Sequence, residues 1–179
     1  SRFSIDYPAS FTLVASMNPC PCGYYNHPDK QCVCAPGLVQ KYLNRISGPL
    51  LDRIDLHVEV TPVSFDEMID SELSESSAII RKRVVQARER QKERFEDHQF
   101  YSNSQMDTAV LKKYCSIDGE SLTMLKLAME KLNLSARAYD RILKVSRTIA
   151  DLDGSESIET IHLSEAIHYR NLDREAWAG

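Results

Sequence analysis

The period of the hydrophobic positions changes partway along the chain. Phe11-Thr-Leu-Val-Ala-Ser16 is a short apolar run with β-branched members that stops at Asn18-Pro19. It predicts a buried strand ending in a turn. Ile54-Asp-Leu-His-Val-Glu-Val60 alternates apolar with polar residues and predicts a second strand, closed by Pro62. Between them lies a stretch rich in Cys, Pro, Gly, Tyr and Asn, expected to be a loop, and then a helix over 37–46. Beyond Pro62 the pattern is helical. The acidic stretch from Asp66 to Glu75 predicts a short helix and linker, and Ser77 to Glu96 a long charged helix with a thin stripe of Ile80, Val84, Ala87 and Phe95. From Glu120 to Leu132, Leu122, Leu125, Ala128, Met129 and Leu132 recur at helical spacing. Another helix follows Ser135, with Tyr139, Ile142, Leu143, Ser146, Ile149 and Ala150 on one side, and Gly154 ends it. A last helix is expected over 162–172. The fold class is therefore α+β, mostly α. Residues 1–62 form an α/β part with a Cys-rich insertion at 19–36, residues 63–97 a linker and charged helix, and residues 98–179 an all-helical part.

Composition narrows the class. In 179 residues, 42% hydrophobic and 27% charged content suits a packed, water-facing domain. With 22 basic and 26 acidic residues the net charge is -4, so no whole-molecule basic field for nucleic acid exists. A local basic face remains open. From Arg81 to Glu96 basic residues outnumber acidic ones, but Glu–Arg pairing along a solvated helix accounts for much of that. No apolar run is long enough to span a membrane, and no signal-peptide pattern is present. The chain opens on Ser1-Arg2-Phe3, which reads as a piece of a longer cytoplasmic polypeptide.

Four of the five cysteines are clustered, as Cys20-Pro-Cys22 and Cys32-Val-Cys34. In extended backbone, residues i and i+2 project from the same side, so each pair can offer two thiolates together. Pro19 and Pro21 bias the residues before them away from helix and partly pre-organise the first pair. A fold-back of the intervening loop predicts a structural four-sulfur zinc site; free or redox thiols and disulfides are the alternatives. His27 is a possible substitute ligand. Tyr24, Tyr25 and Lys30, between the pairs, would either stack on exposed bases or pack over the metal.

Two arginines and an asparagine remain. Arg53 stands between Asp52 and Asp55, a setting in which flanking carboxylates can hold it. Arg137 falls in the first turn of a helix capped by Ser135, where a cation opposes the helix dipole unless an anion binds there. Arg141, Lys144 and Arg147 continue a basic side of that helix. Asn18 by itself is a turn residue. No G-x-x-x-x-G-K-[ST] occurs, and Phe65-Asp66-Glu67 lacks the apolar run that would make it a metal-binding acidic strand. Nor is there a supported Ser/His/Asp or Cys/His arrangement. By itself the chain is expected to be inactive.

Taken together, Phe11-Thr-Leu-Val-Ala-Ser-Met-Asn-Pro-Cys-Pro-Cys-Gly23 and Arg45-Ile-Ser-Gly-Pro-Leu-Leu-Asp-Arg-Ile-Asp-Leu56 closely resemble the magnesium-chelatase-like AAA+ ATPases of bacteria, the YifB/ComM group. Leu134-Ser-Ala-Arg-Ala-Tyr-Asp-Arg-Ile-Leu143 and Ala166-Ile-His-Tyr-Arg-Asn-Leu-Asp-Arg174 are similar to the helical C-terminal region of that group. The resemblance implies the last part of an AAA+ α/β core followed by its helical lid, with the P-loop lying upstream. It implies Asn18 as sensor 1, Arg53 as an arginine finger for the neighbouring subunit, and Arg137 as sensor 2. It further implies ATP and Mg2+, a homo-oligomer of hexameric type, and DNA as partner, as in helicases of branch migration. A magnesium-chelatase motor subunit and a stand-alone metal-stabilised binding module are the competing expectations. The cysteine insertion falls in a segment that chelatase subunits keep short.

Overall fold

The computed structural model describes Ile5, residues 11–63 and residues 75–170. The expected acidic helix at 66–75 and the Phe65-Asp66-Glu67 stretch fall almost wholly outside them, as does the end of the last expected helix. The chain divides into two compact units, 1–43 and 44–179.

In the first unit, a run of turns carries the cysteines and leads into α1, Leu38–Leu43. Gly23 and Gly37 sit at φ +82° and +77°, left-handed backbone that a Cβ disfavours, and each lets the loop reverse at no steric cost.

The second unit is helical. It comprises α2 (Gly48–Leu51), α3 (Ser77–Arg94), a 3₁₀ turn (Asn103–Gln105), α4 (Thr108–Tyr114), α5 (Gly119–Lys131), α6 (Ala136–Asp153) and α7 (Thr160–His168). Start signals read from the sequence explain several boundaries. Asp107, Asp118 and Ser135 each accept a hydrogen bond from a first-turn N–H, at 2.8, 2.8 and 3.4 Å, satisfying a donor that the helix leaves unpaired. Pro49 lies in the first turn of α2, where its missing N–H costs nothing. Gly154 ends α6 at φ +86°.

Helix α6 is the axis of this unit. It packs on α3, α4, α7 and the 3₁₀ turn, while α5 meets α7. The core gathers Phe95, Met106, Leu111, Leu125, Ile142, Leu143, Ala150 and Leu163. Phe95 meets Phe100 and Tyr114 edge-on, ring centres 6.0 Å apart in both pairs. That geometry matches the quadrupoles of the rings.

A second, polar centre ties the same helices. Asp151 is fully buried and accepts from Arg94, from Asn103 Nδ2 at 2.8 Å and from Arg147 Nε at 3.2 Å. Arg147 also donates to the carbonyls of Ser155 and Glu156, and Arg90 to the carbonyl of Asp151 at 2.6 Å. Burial alone would raise the Asp151 carboxyl, but Arg94, Asn103 and Arg147 outweigh it and hold the pKa below the usual value. Arg147 is moved the opposite way, burial lowering its pKa against the pull of Asp151. The expectation that Arg147 extends a surface basic side is therefore corrected: the arginine points inward and satisfies a carboxylate and two carbonyls.

The two expected strands differ in a related way. Among the described residues no strand is found; 11–17 and 54–60 run without a ladder partner, and Phe11, Val14 and Val60 are largely exposed. Alternation specifies which face a strand would bury, but only a second strand completes the pairing. The described residues are mostly helical.

Candidate functional site

Two constellations stand out, one in each unit.

In the first unit, Cys20, Cys22, Cys32 and Cys34 bring their sulfur atoms within 4.8 Å of one another. The Cys20–Cys22, Cys20–Cys32 and Cys22–Cys32 sulfur separations are 3.3, 3.8 and 3.5 Å. A tetrahedron with metal–sulfur bonds of about 2.3 Å has edges of about 3.8 Å, so the donor set fits a metal of that geometry. The turn is made by Gly23 N–H donating to the Cys20 carbonyl at 3.0 Å. The Tyr24 amide is the largest influence on the Cys22 thiol and, with the Cys20 sulfur, brings it down to about 6. At Cys34 the Cys22 amide acts downward, but desolvation and the neighbouring sulfurs prevail and carry the thiol up to about 12. The four cysteines could thus hold a metal.

His27 takes another part. Its Nδ1 accepts from the Asp29 N–H at 3.0 Å, and its ring meets Tyr24 edge-on at 5.7 Å. Lys30 Nζ lies 5.0 Å from the centre of the same Tyr24 ring. These residues pack upon one another within the loop. Asn18 also belongs to this unit; its amide nitrogen lies 4.0 Å from where a Cβ on Gly23 would stand.

In the second unit, Arg53 occupies the turn that closes α2. Its N–H donates to the Leu50 carbonyl at 3.0 Å and its guanidinium to the Pro49 carbonyl at 2.7 Å. The flanking carboxylates do not hold it, contrary to the local reading of Asp52 and Asp55: Asp55 pairs instead with Arg141 of α6. Arg137 is exposed in the first turn of α6. It lines an open cleft of about 570 Å³ together with Asp55, Leu56, Arg141, Lys144 and Tyr169. Lys144 is engaged there, donating to the Ser104 carbonyl at 3.0 Å.

Sequence reasoning passed over Asp55 and Arg141 as a pair. Spacing carried no signal for it, because the two residues stand 86 positions apart.

Residues 74–170 match the family described as magnesium chelatase, subunit ChlI C-terminal, and residues 1–68 the family described as magnesium chelatase, subunit ChlI. The chain is 42% identical over 176 residues to the uncharacterized protein YifB of Escherichia coli (strain K12), covering 97% of this chain and 33% of that protein. It is 42% identical over 171 residues to the competence protein ComM of Haemophilus influenzae, covering 95% and 32%. An uncharacterized Mycobacterium tuberculosis protein (strain ATCC 25618 / H37Rv) is 34% identical over 164 residues, covering 92% and 32%. The chain belongs to the magnesium chelatase ChlI-type AAA+ family, as a YifB/ComM-like member. It spans about a third of the length of the curated relatives it matches. No helix among the described residues is long and apolar enough to cross a membrane.

Proposed function

We propose that this chain is the C-terminal part of a ring-forming AAA+ motor that couples ATP hydrolysis to work on DNA, in the manner of the ComM group. The observation that carries the reading is the 42% identity to a competence protein across 95% of the chain. Within such a motor, Asn18 orients the attacking water beside the γ-phosphate of Mg-ATP. Arg53 supplies charge to the neighbouring subunit's nucleotide, and Arg137 reaches the phosphates from the lid. The exposed placement of both arginines is what a group meeting phosphate from outside its own unit requires. Segments 11–16 and 54–60 are the strands this chain lends to the central sheet. The cysteine loop holds a structural zinc ion, which replaces the hydrophobic core that so short a loop lacks. A hexamer accounts for a finger that acts in trans.

In the full-length protein, Arg53→Ala should lower turnover by about 10³–10⁵ while nucleotide still binds, the scale on which arginine fingers act. Steady-state hydrolysis and equilibrium binding of a fluorescent nucleotide read the two quantities, and near-normal turnover removes the assignment. Arg137→Ala should weaken nucleotide binding or hydrolysis.

The second reading, a chelatase motor subunit, draws on the description of the matched family. ATPase stimulated by branched DNA supports the DNA motor; stimulation by a porphyrin-loaded partner supports the chelatase.

A further inference from the structure

The residues just after Arg53 are held at three points, one by α6 and two by the residues that follow α7. The Ile54 carbonyl accepts from the guanidinium of Arg170, which is itself 1% exposed. The Asp55 carboxylate pairs with Arg141. The His57 N–H donates to the Tyr169 carbonyl at 2.9 Å. Upstream, Arg53 and Ile54 donate to the Leu50 and Leu51 carbonyls, both at 3.0 Å, so the turn itself is stiff. Arg141 lies one helical turn after Arg137 on the same face of α6. One rigid helix thus carries both the arginine facing the cleft and the cation that grips the segment presenting Arg53.

We propose that Asp55 and Arg141 are positioning residues that couple α6 to the presentation of Arg53, so that engagement of Arg137 by a subunit's own nucleotide sets how Arg53 is offered to the next subunit. The inference rests on the roles given to Arg53 and Arg137 above. Stability is not the reason for the pair. With side chains 56% and 30% exposed, an ion pair of this kind adds little to stability. Its value lies in geometry, since a displacement of about 1 Å at a charge-stabilising group can cost about 10²-fold in rate. Direct contact of Arg141 with phosphate is the rival role. The rival predicts a defect in binding, whereas the coupling predicts a defect in turnover and in communication between subunits.

The test compares Asp55→Asn, Arg141→Gln, the double variant and the charge exchange D55R/R141D with Arg53→Ala, all in the full-length protein. Each single substitution should lower kcat by about 10–100-fold, as for a displaced group. KM for ATP and nucleotide affinity should hold, and the Hill coefficient for ATP should fall toward one. The double variant should be no slower than the worse single variant, and the exchange should recover part of the loss. Thermal unfolding should be unchanged, which separates the effect from misfolding. Weakened ATP binding in Arg141→Gln but not in Asp55→Asn overturns the coupling in favour of a phosphate ligand. Multiplying defects in the double variant, or full activity and cooperativity in both single variants, also overturn it. If Arg53→Ala abolishes turnover while the pair variants stay active, only the coupling falls. If Arg53→Ala is itself active, the finger assignment falls and the coupling falls with it.

Discussion

Between Cys20 and Cys34 one side chain, Cys20, is fully buried, whereas α6 alone buries Ala138, Ile142, Leu143, Ser146, Arg147, Ala150 and Asp151. The loop has almost nothing to remove from water; the helix removes an entire face. What the loop has instead is four convergent sulfurs, and what the helix adds to its apolar face is a closed group of charges. A short segment reaches a defined shape through a few strong bonds to a shared ligand. A longer one reaches it through many weak contacts, and can then accommodate a buried carboxylate without losing its fold.

Metal removal is the sharpest way to break this comparison. Structural zinc contributes about 10–16 kcal/mol in small domains, so chelation or Cys32→Ser should release the loop to proteolysis between Cys20 and Cys34. The thermal transition of the helical unit should remain in place. Metal analysis of the purified protein should give close to one zinc per chain, and its absence under reducing conditions counts against the site.

Asp151→Asn should act only on the other unit. It strands the buried Arg147 and the partly buried Arg94 without their counter-charge, at a cost of about 3–5 kcal/mol, read from urea unfolding. Acid should reproduce part of this. Because the folded-state pKa of Asp151 is depressed, its contribution is fully present above the unfolded value of about 3.9 and is lost as pH falls through the lower folded value. Unfolding midpoints should therefore drop below about pH 4 in the parent and show less of that drop in Asp151→Asn. The smallest effect belongs to Ser135→Ala, which removes the cap of α6 and should cost about 1 kcal/mol.

Much of the helical unit was legible in the sequence because caps and stops are local. Ser135 and Gly154 bound α6 where the periodicity placed it, and α5, capped by Asp118, starts at Gly119, one residue before the expected stretch. Helix α2 was not legible: four residues carry no period, and Pro49 reads as readily as a turn. Arg147 was misplaced because a periodicity argument takes every cation to be exposed, while its partner Asp151 lies four residues on and the decisive Arg94 and Asn103 are distant in sequence. The pairing of Asp55 with Arg141 was hidden for the same reason. The cysteine doublets were visible because ligand spacing is local too, although only the fold brings the two pairs together. Segments 11–16 and 54–60, expected as strands, show the limit of a hydrophobic pattern, which suggests burial but supplies no neighbour.

Those uncovered segments also affect how the chain should behave at the bench. Phe11, Val14, Val58 and Val60 present apolar side chains to the solvent, and an unpaired apolar segment of this type recruits whatever extended peptide meets it first. Solutions of the isolated polypeptide should therefore self-associate as concentration rises, and a donated strand that covers those segments should keep it dispersed.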